Sequence, residues 1–329
     1  MFTKPYPPQG NFYFDTMKTI YPDYYKSFRC IAHKCRHNCC IGWEIDIDED
    51  TLGFYQGVEG DFGKKLRANI STEDTPHFIL GEGERCPFLN NKNLCDIFTE
   101  LGENRLCQIC TDHPRFYNYL DEIVEAGLGL CCEAATRLII TKKDPITLSD
   151  CSHIPDSPVL CQRSKVFEIL QNRNLSIPQR LSEVIGITVG REIPLEALSR
   201  FEILSDLERL DESWTKLLNK LYDSSEAEDT TAFDAHMKSR QTEYEQFLCY
   251  LIYRHFVKAE FLDETGIYTL FATYAYKLIY AMGNALFNEK GSFTTDDQLE
   301  IMRLFSSEIE YSDENLDVIL CHLEDIISN

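Results

Sequence analysis

The residues whose spacing could do chemistry in this sequence are its cysteines. Of 14, ten lie between Cys30 and Cys132, and the others are scattered at Cys151, Cys161, Cys249 and Cys321. A first group reads Cys30, Cys35, Cys39 and Cys40. A second joins Cys86 and Cys95 to Cys107 and Cys110, a C-x-x-C pair whose backbone turn brings two thiolates onto one metal. Cys131 and Cys132 close the run. A disulfide framework suits a short secreted chain, whereas this chain has 329 residues and its start, MFTKPYPPQGNFYF, carries no apolar export segment or cleavage site. Buried structural thiols explain the four scattered cysteines, since free Cys packs as a small hydrophobe. The clustered ones recur at ligand-like intervals, and metal or cluster binding explains them best. The first two groups supply eight candidates, enough for two four-ligand sites or for one site with neighbouring buried or redox-active thiols. Zinc takes four thiolates in a tetrahedron, and an iron–sulfur cluster takes up to four from separated segments. Spacing points to a metal centre without naming the metal.

Short irregular elements must position these thiols. On a helix Cys35 and Cys39 would share a face. Cys39 and Cys40 would point about 100° apart there, so a shared centre needs an irregular turn, which Gly42 permits. Cys86–Leu89, the Asn-rich loop 90–93 and Leu94–Ile97 read as a hairpin that sets Cys86 beside Cys95. Trp43 to Asp48 alternates apolar with acidic residues, the pattern of a half-buried strand, and Asp50 or Thr51 would cap a helix after it. His33, His37 and His113 are competing ligands, better read as exposed or outer groups because thiolates already outnumber the positions needed. Arg115 could donate to a sulfur or a carboxylate. No G-x-S-x-G, H-E-x-x-H or phosphate-loop motif occurs. Gly127-Leu128-Gly129 lacks a third glycine and reads as a turn.

Composition sets the frame around these groups. A hydrophobic content of 43% supports a real core. A net charge of −22 disfavours nucleic-acid binding, and no apolar run reaches membrane-spanning length. Residues 1–143 carry 16 Lys+Arg against 21 Asp+Glu, and residues 144–329 carry 16 against 33. The join holds Pro145, Pro155 and Pro158 among small polar residues. The expected fold is therefore mainly α: a cysteine-rich region 1–143 with a small irregular β element, packed on an acidic helical bundle 144–329. Phe201, Leu204, Leu207, Leu210 and Trp214 recur at helical intervals, as do Phe247 to Phe256. Residues 268–287 read as a buried bundle helix, and Leu316–Ile327 as the last helix.

Taken together, the spaced motifs resemble the flagellin lysine-N-methylase (FliB) family. The match begins at Tyr24-Tyr25-x2-Phe28-x-Cys30 and continues through Cys35-x3-Cys39-Cys40-x-Gly42-Trp43 and Cys86-Pro87-Phe88-Leu89. It goes on through Leu94-Cys95-x-Ile97 and Leu101-Gly102-Glu103-x2-Leu106-Cys107-x2-Cys110-x3-Pro114-Arg115. Cys131-Cys132-Glu133-Ala134-Ala135 resembles the closing motif; aligned on Glu133, Cys131 takes the family cysteine and Cys132 is the departure. The thiol core also resembles a wider group of zinc- or iron-chelating domains. The resemblance implies methyl transfer from S-adenosylmethionine to flagellin lysines in the cytoplasm. It also implies a [4Fe-4S] cluster, or zinc instead, held by ligands among Cys30, Cys35, Cys39, Cys40, Cys86, Cys95, Cys107, Cys110 and Cys131. The partner it implies is flagellin as substrate; the charge and the apolar run lengths given above argue against nucleic-acid and membrane partners. Asp46, Asp48 and Tyr117 lie near the thiols in sequence and are candidates to lower the barrier to amine deprotonation. Two other readings compete with the methylase: a non-catalytic zinc- or iron-binding scaffold, and a thiol redox sensor using Cys39-Cys40 or the Cys107/Cys110 pair.

Overall fold

The computed structural model describes residues 18–120, 123–149, 157–224 and 229–328. Cys151, expected to be an ordinary thiol, lies outside them, as does the N-terminal stretch through Met17. The fold is mainly α with a few small strands. Its side chains gather into two cores.

The small core belongs to the cysteine-rich segment. Ile45, Ile47, Tyr55, Phe78, Phe88 and Ile97 are buried there together with Cys86 and Cys107. The alternation from Trp43 to Asp48 holds: Ile45 and Ile47 turn inward and Glu44 and Asp46 outward. This stretch hydrogen-bonds beside strand β3 (His77–Phe78), which pairs with β2 (Ile70–Ser71). The helix that follows, α1 (Glu49–Gly57), is capped by Asp48 rather than by Asp50 or Thr51, because the Asp48 carboxylate accepts from the Thr51 amide at 3.0 Å. Its other oxygen accepts from the Gln108 amide at 2.8 Å. One carboxylate thus ties α1 to the short helix α4 (Gln108–Asp112) that carries Cys110. Helix α2 (Gly60–Ala68) buries Leu66 against the same core.

The loop after Phe88 turns as expected. Asn90 Oδ1 accepts from the Lys92 and Leu94 amides, and Leu89 bridges to Cys95. The second arm of the expected hairpin is not a strand. Asp96 opens helix α3 (Asp96–Leu101), where a carboxylate in the first turn suits the helix dipole.

A three-stranded sheet links the two cores. Its order is β1 (Lys18–Ile20), β5 (Ile123–Leu128) and β4 (Arg115–Leu120), with β1 parallel and β4 antiparallel to β5. Strand β5 is buried throughout. The Gly127–Gly129 stretch, read above as a turn, is the end of this central strand and its exit. The glycines serve close approach: a Cβ on Gly127 would stand 2.1 Å from the Phe116 ring, and one on Gly129 2.0 Å from the Tyr311 hydroxyl. The half-buried Phe116 ring packs against Tyr250, Tyr253 and the Arg254 guanidinium, which restricts how far it can give way. Gly127→Ala is expected to cost about 1–3 kcal/mol by overpacking, read as a lowered urea midpoint.

The large core runs from Tyr24 and Phe28, through Leu128, Leu130 and α5 (Glu133–Ile140), to the C-terminal helices. These are α6 (Pro158–Leu170), α7 (Ile177–Val189), α8 (Glu212–Asp223), α9 (Thr231–Met237), α10 (Gln241–His255), α11 (Thr265–Lys290), α12 (Thr295–Phe305) and α13 (Asp313–Ser328). Helix α11 packs on α7, α8, α10, α12 and α13, which explains its all-round apolar surface. No helix among the described residues is long and apolar enough to cross a membrane. The Phe201–Trp214 pattern is broken: a 3₁₀ turn spans Glu202–Ser205, and α8 starts only after Asp211 caps the Ser213 amide at 2.7 Å. Leu210, between them, is 53% exposed.

A π-helical turn at Ser306–Glu310 carries two carboxylates inward. Glu308 is fully buried and accepts from the Leu210 amide at 3.0 Å. Its Oε1 has no hydrogen-bond partner among the described residues. Burial raises its carboxyl from the ordinary 4.5 to about 7. The folded chain then holds more protons than the unfolded one between those values, so stability falls as pH rises from about 4.5 to about 7. Glu308→Gln is expected to flatten that fall and to stabilise the protein at pH 8 by on the order of 2–3 kcal/mol, measured by urea unfolding at pH 5 and pH 8.

Candidate metal centre and adjoining groove

All thirteen cysteines among the described residues are free thiols. The clustered ones fall into two groups that meet at Cys39-Cys40. Cys40, Cys86, Cys95, Cys107 and Cys110 form the inner group, lying close enough that charge on one raises the cost of charge on its neighbours. The Cys86 amide donates to the Cys40 carbonyl at 2.9 Å. Cys107 and Cys110 stand 3.3 Å apart, sulfur to sulfur. Their shared hydrogen bond lowers the Cys107 thiol and raises that of Cys110. Burial pushes the Cys86 thiol up to about 11.

Cys30, Cys35, Cys39 and Cys132 form the outer group. Burial pushes Cys35 and Cys132 up to about 11. The chain here is irregular rather than helical, with Gly42 at φ +93° where the turn after Cys39-Cys40 needs it. Cys35 Sγ is 3.8 Å from the Glu133 carboxylate, which also accepts from the Arg36 amide at 2.9 Å and Arg36 Nε at 3.2 Å. Cys131 faces the other way, towards Tyr311, Arg254 and Glu310, and burial pushes its thiol up to about 12. The structure therefore sets Cys132 beside the outer thiols. Adjacent residues in extended chain point to opposite sides, and the sequence held no sign of which would face inward.

The other sequence candidates have structural occupations. Asp48 is the cap and tie described above, and backbone donors hold its carboxyl below the usual range against the opposing effect of burial. Asp46 is exposed. The Tyr117 hydroxyl donates to Asp112 at 3.3 Å, and burial raises its phenol. His113 is held neutral by burial, at about 4, and its ring lies 6.3 Å from that of Trp43. His37 Nε2 meets Glu300 of α12 at 2.9 Å. Burial alone would raise Glu300, but His37 and Arg303 pull it down to about 2. Cys161 and Cys321 are exposed, and Cys249 is buried in the helical core.

Among the described residues no three Cys, His, Asp or Glu side chains converge as a single metal ion requires. The donor set of the inner group is nevertheless all sulfur, the chemistry of a soft centre. A four-iron cluster spreads its thiolates over a cube, wider than one ion does. The inner group fits a cluster in kind and does not form a single-ion site.

A groove of about 660 Å³ opens beside the outer thiols. One wall is the segment Asp23–Ile31, which contains Cys30; the other is the face of α5 that begins at Glu133, next to Cys132. None of this was legible as a site in the sequence. The i, i+4 spacing of Glu133, Arg137 and Thr141 was the available signal.

Residues 191–329 match the family model described as the FliB lysine N-methylase C-terminal domain. The chain is 28% identical over 143 residues to proteins named Lysine-N-methylase from Salmonella typhimurium and Salmonella choleraesuis, covering 39% of this chain and 34% of each relative. It is 27% identical over 165 residues to the Flagellar biosynthetic protein FliU of Salmonella muenchen, covering 45% of this chain and 94% of that protein. The chain thus spans about a third of the length of the two methylases it matches. No solved structure matches it.

Proposed function

We propose that this chain is a lysine N-methylase of the FliB type, and that it methylates lysine side chains of flagellin in the cytoplasm, with S-adenosylmethionine as donor. The observation that carries the reading is the FliB domain match over the helical half, joined to a thiol-rich half with an adjoining groove. The amine must first lose a proton. Its lone pair then attacks the methyl carbon, the carbon–sulfur bond breaks, and the sulfonium leaves as a neutral thioether. Removing water from the amine favours its neutral form, and a groove between two chain segments serves that end.

The proposed [4Fe-4S] cluster takes four ligands from Cys40, Cys86, Cys95, Cys107 and Cys110. When bound it supplies a one-electron centre and a covalent clasp on the small core. This chain's own part is to present thiolates, and the raised thiols mean that loading releases protons.

The test combines two measurements. Anaerobically purified protein, flagellin and methyl-labelled S-adenosylmethionine are incubated, and methyl-lysine on flagellin is sought by mass spectrometry. Iron and acid-labile sulfide are assayed on the same preparation. Methyl-lysine with iron and sulfide supports the proposal. Stoichiometric zinc with no transfer would favour the scaffold reading, to which the burial of Cys86 and Cys107 within the small core lends some support.

A further inference from the structure

We infer that the groove along α5 is the seat of the methyl donor, a zwitterionic nucleoside sulfonium, with Arg29 taking its carboxylate; this rests on the methylase reading. Topology is the first support. Strands β1 and β5 run parallel and side by side. Strand β1 runs out into the wall Asp23–Ile31, and β5 runs out into Cys131, Cys132 and α5. The groove therefore lies off the carboxyl ends of two adjacent parallel strands, where open sheets that carry parallel strands hold small ligands. Its volume, about 660 Å³, falls within the range of small-molecule sites.

The lining matches such a ligand along its length. From Glu133 to Lys142 the α5 wall extends roughly 13 Å at the rise of a helix. Tyr24, Ala134 and Leu138 give the middle an apolar surface for a nucleoside. Both ends carry both signs of charge: Arg29 and Glu133 at the thiol end, Lys142 and Asp23, 3.0 Å apart, at the other. That distribution suits a ligand bearing a carboxylate, an ammonium and a sulfonium, and it suits a singly charged lysine side chain less well.

Arg29 is set for the carboxylate. Its Nη1 donates to the Lys26 carbonyl at 2.9 Å and the Phe28 carbonyl at 2.6 Å. Its Nε and Nη2 have no partner among the described residues. Those two nitrogens form the edge of a guanidinium that takes a carboxylate through two parallel hydrogen bonds. The two carbonyls hold the fork before the ligand arrives, which lowers the cost of binding. Glu133 and Asp23 then face the ligand's positive groups.

Equilibrium binding of S-adenosylmethionine and of its demethylated product to the full chain, prepared anaerobically, tests this without reading methyl transfer. Arg29→Ala is expected to weaken both at least tenfold, and Ala134→Trp, which fills the apolar middle, to abolish binding. Ultraviolet cross-linking of labelled donor to the unaltered protein guards against variants that misfold. Label is expected on peptides within residues 23–31 or 133–142. Label elsewhere, or both variants binding as the parent does while the parent still methylates flagellin, overturns this assignment and leaves the methylase reading standing. A flagellin lysine peptide that displaces the donor from the groove also overturns it. A parent that neither binds donor nor transfers methyl removes both.

Discussion

Cys107→Ser is expected to strip hydrogen-exchange protection from the segment between Cys40 and Asp112 while α10 and α11 keep theirs. The small core rests on ten buried side chains, two of them the cysteines Cys86 and Cys107. A core of that size supplies only a few kcal/mol by itself and commonly needs a staple. Cys107 is 1% exposed. A serine there buries a hydroxyl in place of a thiol, at about 1–3 kcal/mol if it goes unpaired. With a cluster bound, the loss is larger by several kcal/mol, because ligation energy at such sites is folding energy. Two hydrogen bonds would pass the disturbance on: the Asp48 tie to the start of α4, and the Tyr55 hydroxyl on the Arg105 carbonyl at 2.7 Å. Cys249→Ala is the control. Its thiol is fully buried in the large core, and its loss is expected to cost on the order of 1 kcal/mol with no effect on metal content. Hydrogen exchange read by mass spectrometry separates the two. Equal, uniform loss of protection in both variants would contradict the special standing of the inner thiols.

How much of this was legible in the sequence depends on where the information lies. Periodicity gave the long helices, because α10, α11 and α13 all bury apolar side chains in the large core. It misread Phe201–Trp214, since a local event, the Asp211 cap, restarts the chain there and no apolar spacing records it. It missed β5. A central strand buried on both faces does not alternate, and its glycines, there to admit Phe116 and Tyr311, mimic a turn. Thiol spacing picked out the right residues to examine but not their division. The separation of Cys40 from Cys39, and of Cys132 from Cys131, depends on which way each side chain leaves an irregular backbone. The groove was invisible because its walls are about a hundred residues apart in sequence and are brought together by long-range contacts, the pairing of β1 with β5 and the Lys142–Asp23 ion pair among them.

That pairing is braced from below by a buried ion pair, and breaking it is expected to cost about 3–5 kcal/mol. Glu125, on β5, is 1% exposed, and Arg163, on α6, is 2% exposed. The two form a bidentate pair, with Arg163 Nη1 2.6 Å from Glu125 Oε2. The Arg163 guanidinium lies over the Tyr253 ring at 5.5 Å, and the Tyr253 hydroxyl sits 3.1 Å from the Ile20 carbonyl and 3.2 Å from that of Ala126. One cluster thus holds α6 and α10 against both parallel strands. Arg163→Leu alone strands a carboxylate in the central strand, and Glu125→Leu alone strands a guanidinium under α10. Each single change carries the full cost of an uncompensated buried charge. The double replacement removes both charges and keeps apolar volume, so it is expected to recover most of the loss, as buried pairs commonly do when exchanged for hydrophobic side chains. A double-mutant cycle in urea measures the coupling. Because β1 and β5 carry the two walls of the groove, the single variants should also lose donor binding by more than the double. Additive stability losses, or single variants as stable as the parent, would mean that the pair is not what fixes the sheet to the helices.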